Sequence, residues 1–293
     1  MLQHQFNTPQ NPARVVILGA RGFIGRNLLP ILELQGIPVL AIGSQDFDLA
    51  AGDTPPARLA AQLREGDAVV MLSAITPDKG RDTTALLRNI IMAKTVCDAI
   101  AKQPVAHKVY ISSDAVYAFD QGGLVNEDSP AAPVDLYGCM HRTRELMFES
   151  AGGAPTAVLR PTLVYGAGDT HNSYGPNRFR RVATKDGKIT LGGNGEETRD
   201  HIYVEDLARL IALVLRHRSS GCLNLATGRS ISFHDLARLI AARTVRPAEI
   251  VLTPRGAPIT HRSFDITACH KAFPEFLFTP LETGLTRAQA DCA

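Results

Sequence analysis

The sequence has no long hydrophobic run, few cysteines and no cluster of positive charge, and each of these absences excludes a class of protein. None of its apolar stretches reaches the roughly 18 residues that a membrane-spanning helix needs. The formal net charge is only +2 and no basic run occurs, so we expect neither a nucleic-acid nor a membrane partner.

The cysteines are scattered, odd in number and without C-x-x-C spacing. This pattern favours reduced thiols over a disulfide framework or a zinc site, and we expect no bound metal. Residues 1–13 are rich in Gln, Asn and Pro and lack the charged-then-apolar pattern of a signal peptide. We therefore expect a flexible tail at residues 1–13 and a cytoplasmic protein. The cysteines are Cys97, Cys139, Cys222, Cys269 and Cys292.

An apolar run followed by three regularly spaced glycines is the central feature of the sequence. Residues 15–18 are apolar and mostly β-branched, as in a strand covered on both faces, and a helical pattern begins at Ile24. Gly19 suits a tight turn, Gly22 lets a phosphate approach the backbone, and Gly25 lets helix and strand pack closely. Together with the N–H groups at the start of the helix, this turn predicts a dinucleotide site.

Strand and helix patterns alternate through the first half of the chain. This alternation predicts an α/β fold with a Rossmann-type, doubly wound parallel sheet, whose ligands bind at the carboxyl ends of the strands. Gly19, Ser44, Ala74 and Ser113 would then face one crevice. We expect a dinucleotide-binding domain at 14–166 and a smaller C-terminal substrate-binding part at 167–293, with some exchange of elements across the boundary. The predicted strands are 15–18, 38–42, 68–72, 108–111 and 156–159, and the predicted helices are 24–35, 57–63, 82–102 and 137–150.

The end of the second predicted strand bears on the choice of cofactor. NAD-binding folds usually keep an acid there for the ribose hydroxyls, but this chain has Gly43-Ser44. Ser44 can hydrogen-bond a 2′-phosphate and Arg21 can pair with it, which favours NADP over NAD. Asp46 or Asp48 would restore a preference for NAD by folding back onto the ribose.

Three polar residues at strand ends and on the following helix suggest acid–base chemistry: Ser113, Tyr137 and His141. A phenol with a pKa of about 10 is a poor proton donor or acceptor at neutral pH. A cation one helical turn away can lower that pKa and hold ribose hydroxyls. We therefore expect Tyr137 to move a proton at a carbinol or carbonyl while hydride moves to or from nicotinamide, with Ser113 on the same oxygen and a charged His141 as the cation.

These motifs resemble the extended short-chain dehydrogenase/reductases, and more narrowly the NAD-dependent epimerase/dehydratase group that acts on nucleotide sugars. The resemblance runs from about Arg14 to Arg287 and rests on the glycine turn, the Ser113–Tyr117 segment and Tyr137-x-x-x-His141. It implies an NAD(P) cofactor, a nucleotide-sugar substrate and a homodimer formed through the helices at 82–102 and 137–150.

The resemblance also assigns roles to individual residues. Arg199 and Arg255 match the arginines that grip the substrate diphosphate, and Asn177 and Arg178 lie in the loop that contacts the sugar nucleotide. Asp114 follows the catalytic serine and is expected near the substrate. The expected cofactor-binding residues are Gly19, Arg21, Gly22, Phe23, Ile24, Gly25, Ser44, Asp48, Ser73, Ala74, Asn89, Tyr137 and His141.

Two departures from the family pattern narrow the chemistry. The family's usual lysine, four residues after the tyrosine, is replaced by His141. The Asp-Glu pair of the dehydratases is replaced by Asp114-Ala115. Position 115 also lacks the cysteine of fucose-type epimerase-reductases. A 4-epimerase or a keto-sugar reductase remains, and the alternatives are a catalytically silent NAD(P)-binding sensor or scaffold and a reductase of small non-nucleotide carbonyls.

Overall fold

The computed structural model describes residues 1–51, 56–119, 123–169, 175–256 and 258–289, and it divides into two compact units. The first unit comprises residues 1–118, 127–161 and 207–224, and the second comprises 119–126, 162–206 and 225–293. Each unit is therefore built from separated stretches of chain. A later strand returns to the edge of the first unit's sheet, so elements are exchanged across the expected boundary at residue 166.

The first unit contains a six-stranded sheet in the order β10-β6-β4-β3-β1-β2. The pairs β1–β2, β1–β3, β3–β4 and β4–β6 are parallel. The elements are β1 (Arg14–Leu18), α1 (Phe23–Leu34), β2 (Val39–Ile42), α2 (Pro56–Ala60), β3 (Asp67–Met71), α3 (Thr83–Lys102), β4 (His107–Ile111), a 3-10 turn (Asp114–Val116), α4 (Leu136–Ser150), β6 (Thr156–Pro161), α6 (Val204–Arg216, which begins in the second unit) and β10 (Gly221–Leu225).

The sheet forms where it was expected because its strands are apolar on both faces. Every residue of β3 and β4 is buried, and so are Val15–Leu18 in β1. Complete burial of one such aliphatic side chain contributes about 1.5–3 kcal/mol. α3 begins one residue after its predicted start because Asp82 caps it, accepting a hydrogen bond from the Ala85 N–H at 2.9 Å.

The strand order reverses between β1 and β3, and this reversal fixes where a ligand can bind. In open parallel sheets the ligand lies outside the carboxyl ends of the strands at such a point. The two ends here are in close contact, since a Cβ at Gly19 would lie only 2.9 Å from the backbone nitrogen of Ser73. Gly19 also has a φ of +93°, which favours glycine.

The N-terminal segment, expected as a flexible tail, packs against the first unit. Gln3 forms an antiparallel bridge with Ser220, and the Gln10 N–H donates to the Arg216 carbonyl at 2.8 Å. His4 stacks on His217 with ring centroids 4.4 Å apart. The segment is ordered because its polar backbone finds carbonyl partners that composition alone does not reveal.

The second unit holds three small sheets: β11-β9-β7, β12-β8 and β13-β5. Asn177 and Arg178, expected in a loop, lie in a helix that begins at Pro176. Its elements are β5 (Leu124–Val125), β7 (Leu163–Tyr165), α5 (Pro176–Asp186), β8 (Lys188–Gly192), β9 (Thr198–Tyr203), β11 (Ser230–Ser232), α7 (Phe233–Ala241), β12 (Glu249–Thr253), β13 (Ser263–Phe264), α8 (Thr267–Ala272) and α9 (Leu281–Ala288).

The described part of the chain bears on three features that the sequence was expected to lack: membrane-spanning helices, a metal site and disulfide bonds. None of its helices is long and apolar enough to cross a membrane. Among the same residues there is no group of His, Cys, Asp and Glu side chains that could hold a metal ion. Cys97, Cys139, Cys222 and Cys269 are free thiols, and Cys292 lies outside the described residues.

Candidate functional site

The glycine turn leaves the start of α1 open to an anion. The helix begins after Gly22, no side chain caps it, and its first turn contains no acid. A Cβ at Gly22 would approach the Gly19 carbonyl oxygen to 3.2 Å, and one at Gly25 would overlap the Ala20 carbonyl. The backbone therefore stays exposed at the positive end of the helix dipole, which fits the phosphates of a dinucleotide. Phe23 and Ile24 form the half-buried first turn.

An ion pair joins Arg21 of the glycine turn to Asp46, which follows β2. Arg21 donates to Asp46 Oδ1 at 2.9 Å, and Asp46 Oδ2 accepts the Gly43 N–H at 2.9 Å. Asp48 turns into its own loop, where Oδ1 accepts the Ala50 N–H. Ser44 is exposed. Asp46, rather than Asp48, is thus the carboxylate that folds back to the end of β2.

Asn89 braces the chain segment that follows β3. Its Oδ1 accepts the Ile75 N–H at 2.9 Å, and its Nδ2 donates to the carbonyls of Ile75 and Ala85 at 3.1 and 3.0 Å. The side chain is 2% exposed. Its amide holds the loop that carries Ser73 and Ala74, both of which are half-buried.

The first turn of α4 packs directly on the turn that carries Ser113. A Cβ at Gly138 would overlap the Ala115 carbonyl oxygen, so only glycine permits this approach. Ser113 Oγ accepts the Ala115 N–H at 3.1 Å, and Asp114 beside it is buried. Gly138 was not among the expected site residues. A glycine inside a helix, where it costs about 1 kcal/mol relative to alanine, was the signal that could have identified it.

Tyr137 and His141 are in direct contact on the inner face of α4. Their rings meet edge to face with centroids 4.6 Å apart, and the Tyr137 side chain is half-buried. Tyr137 also lines a groove of about 220 Å³ together with Ile75, Arg81, Asp82, Asn89, Leu136 and Met140. The structure thus brings Tyr137 and His141 together, and Tyr137 shares its groove with Asn89, one of the expected cofactor-binding residues.

His141 is neutral, in contrast to the expected charged imidazole. It is only 2% exposed, and its Nδ1 lies 2.6 Å from the Tyr110 hydroxyl. Burial lowers the pKa of His141 well below its usual value, and the positive charge of Arg144 lowers it further. The sequence placed the imidazole on the correct helix face but did not reveal this desolvation.

The Tyr110–His141 contact also fixes which ring nitrogen of His141 carries the proton. If Tyr110 donates to Nδ1, only the Nε2–H is left without a partner, whereas the reverse direction leaves both the Tyr110 hydroxyl hydrogen and the Nε2 lone pair without one; we therefore assign the proton of His141 to Nε2. His141 Nε2 is buried and has no hydrogen-bond partner in the structure. An unpartnered N–H next to Tyr137 fits a hydroxyl of the cofactor ribose.

A buried ion pair fixes the strand that precedes Ser113. Glu145 accepts from Ser112 Oγ at 2.6 Å and from Nε and Nη2 of Arg160 at 2.8 and 2.7 Å. These hydrogen bonds and the Arg160 charge lower the pKa of Glu145 despite the opposing effect of its burial. Sequence reasoning missed Glu145, whose position eight residues after Tyr137 places it near the same helix face.

Four of the expected substrate residues lie in the second unit, where several have internal partners, whereas Asp114 lies in the first. Asn177 Oδ1 accepts the Gly166 N–H at 3.1 Å. Arg199 donates to the carbonyl and the hydroxyl of Thr260, each at 2.7 Å. Arg255 is ion-paired with both Glu196 and Glu197, so its charge is already compensated. Arg178 is exposed on α5.

A sequence profile of the NAD dependent epimerase/dehydratase family matches residues 15–226. The chain belongs to this family. A dTDP-4-dehydro-6-deoxy-D-allose reductase of Streptomyces bikiniensis is 27% identical over 92% of this chain and 93% of its own. A UDP-glucose 4-epimerase of Azospirillum brasilense is 27% identical over 78% and 76%. The solved UDP-glucose 4-epimerase of Thermotoga maritima superposes with a TM-score of 0.84 at 20% identity, covering 95% of this chain and 98% of that one.

These comparisons confirm three predictions made from the sequence: the family, the fold class and an NAD(P)-dependent enzyme. Family members include nucleotide-sugar epimerases, reductases and dehydrogenases. Within this range, His141 and Ala115 are features of this chain that must decide its own chemistry.

We expect the buried histidines to make the protein unstable in acid. Burial lowers the pKa of His107 to about 4 and that of His201 to about 3, and it also lowers that of His141. The unfolded chain binds these protons near pH 6.5, so stability is full above about pH 6.5 and falls below it, by about 1.4 kcal/mol per pH unit for each histidine. Urea unfolding at several pH values measures this slope.

A His107→Gln variant should reduce that slope by one histidine's share, while His270→Gln, at an exposed position, should leave it unchanged. Equal slopes for the wild type and His107→Gln would show that burial of this imidazole does not set the acid sensitivity.

Proposed function

We propose that this enzyme interconverts a hydroxyl and a keto group on a nucleotide-activated sugar by hydride exchange with NAD(P). The observation that carries the proposal is the contact of Tyr137 with a buried, neutral His141, on a helix pressed against the Ser113 turn. Ser113 binds the reacting oxygen, and Tyr137 gives or takes its proton. His141 donates its Nε2–H to a ribose hydroxyl of the cofactor. The nicotinamide, when bound, supplies or accepts the hydride.

The residues after Ser113 favour simple hydride transfer over dehydration. A dehydratase needs a base that removes the proton next to the keto group, and position 115 offers only a methyl group. Asp114 is 5% exposed and lies within the 3-10 turn. A 4-epimerase and a keto-sugar reductase both fit these residues, and both activities occur among the curated relatives.

Turnover tests this proposal directly. The purified protein, supplied with NADPH or NADH and dTDP- or UDP-linked 4-keto sugars, should oxidise the cofactor if it is a reductase; supplied with UDP-glucose, it should form the C4 epimer if it is an epimerase. Tyr137→Phe should lower the rate on the order of 10²-fold or more, because it removes the proton donor. A tightly bound NAD in the isolated protein indicates an epimerase that regenerates its cofactor, whereas an empty or NADP-loaded site indicates a reductase. Cofactor binding without turnover of any of these sugars would instead support a silent sensor.

We further propose that NADP is the favoured cofactor. The Arg21–Asp46 pair is exposed, with 58% and 42% of the side chains accessible, and such pairs contribute about 0–1 kcal/mol. A charge-assisted hydrogen bond from Arg21 to a 2′-phosphate contributes about 1.5–3 kcal/mol. Exchange of Asp46 for the phosphate is therefore favourable.

Dissociation constants for NADPH and NADH test the cofactor preference. The wild type should bind NADPH more tightly, and Asp46→Asn should widen the difference about tenfold because it frees Arg21 and removes a repelling carboxylate. Arg21→Ala should abolish the preference, while Arg26→Ala, which removes an exposed arginine from α1, serves as the control. Tighter binding of NADH by the wild type would contradict the proposal.

We propose that the substrate's diphosphate is bound by Arg199 and Arg255. Guanidinium groups match phosphate oxygens in pairs, which makes these two residues suitable for a diphosphate. Because Arg255 is paired with Glu196 and Glu197, a diphosphate must displace carboxylates to reach it.

We propose that the enzyme is cytoplasmic, and the free thiols of the described cysteines support this.

We also propose a homodimer formed through α3 and α4. Four large apolar side chains on these helices are exposed: Leu87 at 61%, Ile91 at 37%, Leu136 at 38% and Leu146 at 50%. Such side chains on neighbouring helices favour pairing with a second copy. Light scattering at micromolar concentration should give twice the monomer mass, and Leu87→Lys should give the monomer mass. A monomeric wild type would refute the dimer.

A further inference from the structure

A fully buried arginine lies on the inner face of α4. Arg144 is 0% exposed, and no carboxylate pairs with it in the part of the chain that the structure describes. Its Nη2 donates to the Ser73 carbonyl at 2.8 Å, and its Nη1 donates to Asn89 Oδ1 at 3.3 Å. Its Nε has no partner. The positive charge is therefore held by neutral oxygens only.

Burial of the Arg144 charge without a carboxylate partner lowers the stability of the fold. A buried charge without an opposite charge is expensive, and apolar side chains of similar volume usually pack at lower cost. The other buried arginine of the first unit, Arg160, is fully paired with Glu145. Arg144, like the buried Lys108 that donates to the Phe148 carbonyl, is a cation whose retention is not explained by an ion pair.

The position of Arg144 directs its charge toward Tyr137. Residues seven apart lie on the same helix face, about 10 Å apart along the axis, and long helical side chains lean toward the N-terminus. Arg144 accordingly reaches Met140 Sδ at 3.7 Å, and Met140 lines the same groove as Tyr137. The guanidinium carbon lies 5.1 Å from the centre of the Tyr110 ring, whose hydroxyl bonds to His141.

We propose that Arg144 is a positioning residue that stabilises the phenolate form of Tyr137, replacing the charge that the family's lysine supplies. This rests on the proposed function. The two tasks of that lysine are then divided, since His141 provides a hydrogen-bond donor and Arg144 provides the positive charge.

The other charged groups around Tyr137 largely compensate one another. Arg81 and Asp82, at the start of α3, face the groove with opposite signs. Glu145 is paired with both Arg160 and the half-buried Arg142, and burial disfavours the charged form of His141. On the strand side, Asp114 is the acid next to Ser113, and Tyr110 is protonated because burial raises its pKa.

The charge of Arg144 already acts on its neighbours. It lowers the pKa of His141, after the larger effect of burial, and it opposes the burial that raises the pKa of Tyr110. At about 10 Å and an effective dielectric constant of about 20, one unit charge shifts a pKa by about one unit. This is the size of effect expected on Tyr137.

NMR titration of the full chain with labelled tyrosine Cζ measures the proposed effect in the absence of cofactor and substrate. The signal missing from Tyr137→Phe assigns the residue. Arg144→Gln and Arg144→Met, two neutral replacements, should each raise the Tyr137 pKa by about one unit. Arg144→Lys should keep it near the wild-type value. Arg88→Met removes an exposed arginine from α3 and should leave it unchanged.

The result that overturns the proposal is a Tyr137 titration that is the same in the wild type and in a folded neutral variant. A shift of Arg144→Lys as large as that of Arg144→Gln would also overturn it, because packing rather than charge would then be responsible. Since no substrate is present, these outcomes do not depend on turnover. A protein that fails to turn over keto-sugars refutes the proposed function and leaves this titration interpretable.

Discussion

The chemistry of this site depends on the burial of one helix face, where the Tyr110 hydroxyl meets His141 Nδ1 at 2.6 Å. That contact is possible because Gly138 allows α4 to close on the Ser113 turn. Closure removes His141 from water, which disfavours the imidazolium, and the buried Nε2 is left without a hydrogen-bond partner. Packing, hydrogen bonding and protonation are thus consequences of a single close approach.

The same burial changes how the family motif works in this chain. A lysine at position 141 would carry its charge on a flexible stem, and it would combine a donor and a cation in one group. A neutral histidine keeps only the donor. The positive charge within this face comes from Arg144, which reaches the Ser73 and Asn89 oxygens beside the proposed cofactor site.

Sequence reasoning predicted the features that depend on local patterns. The glycine spacing located the turn after β1, and the Asp82 cap located the start of α3. The features that it missed depend on distant partners. The compensation of Arg255 by two glutamates and the return of β10 to the first sheet are set by tertiary contacts between residues far apart in the chain. The charge state of His141 belongs to the same class, because no pattern in the sequence reports how deeply one imidazole is buried.

We infer that His141 acts as a neutral donor with its proton on Nε2. Nitrogen NMR of histidine-labelled protein, with His141→Gln to assign the signal, reports both the charge of this ring and the nitrogen that carries its proton. We predict one neutral Nε2–H form of His141 from about pH 8 to about pH 5, across the range in which an ordinary histidine titrates. A His141 signal that titrates near pH 6.5, or one whose proton resides on Nδ1 at neutral pH, would contradict the account.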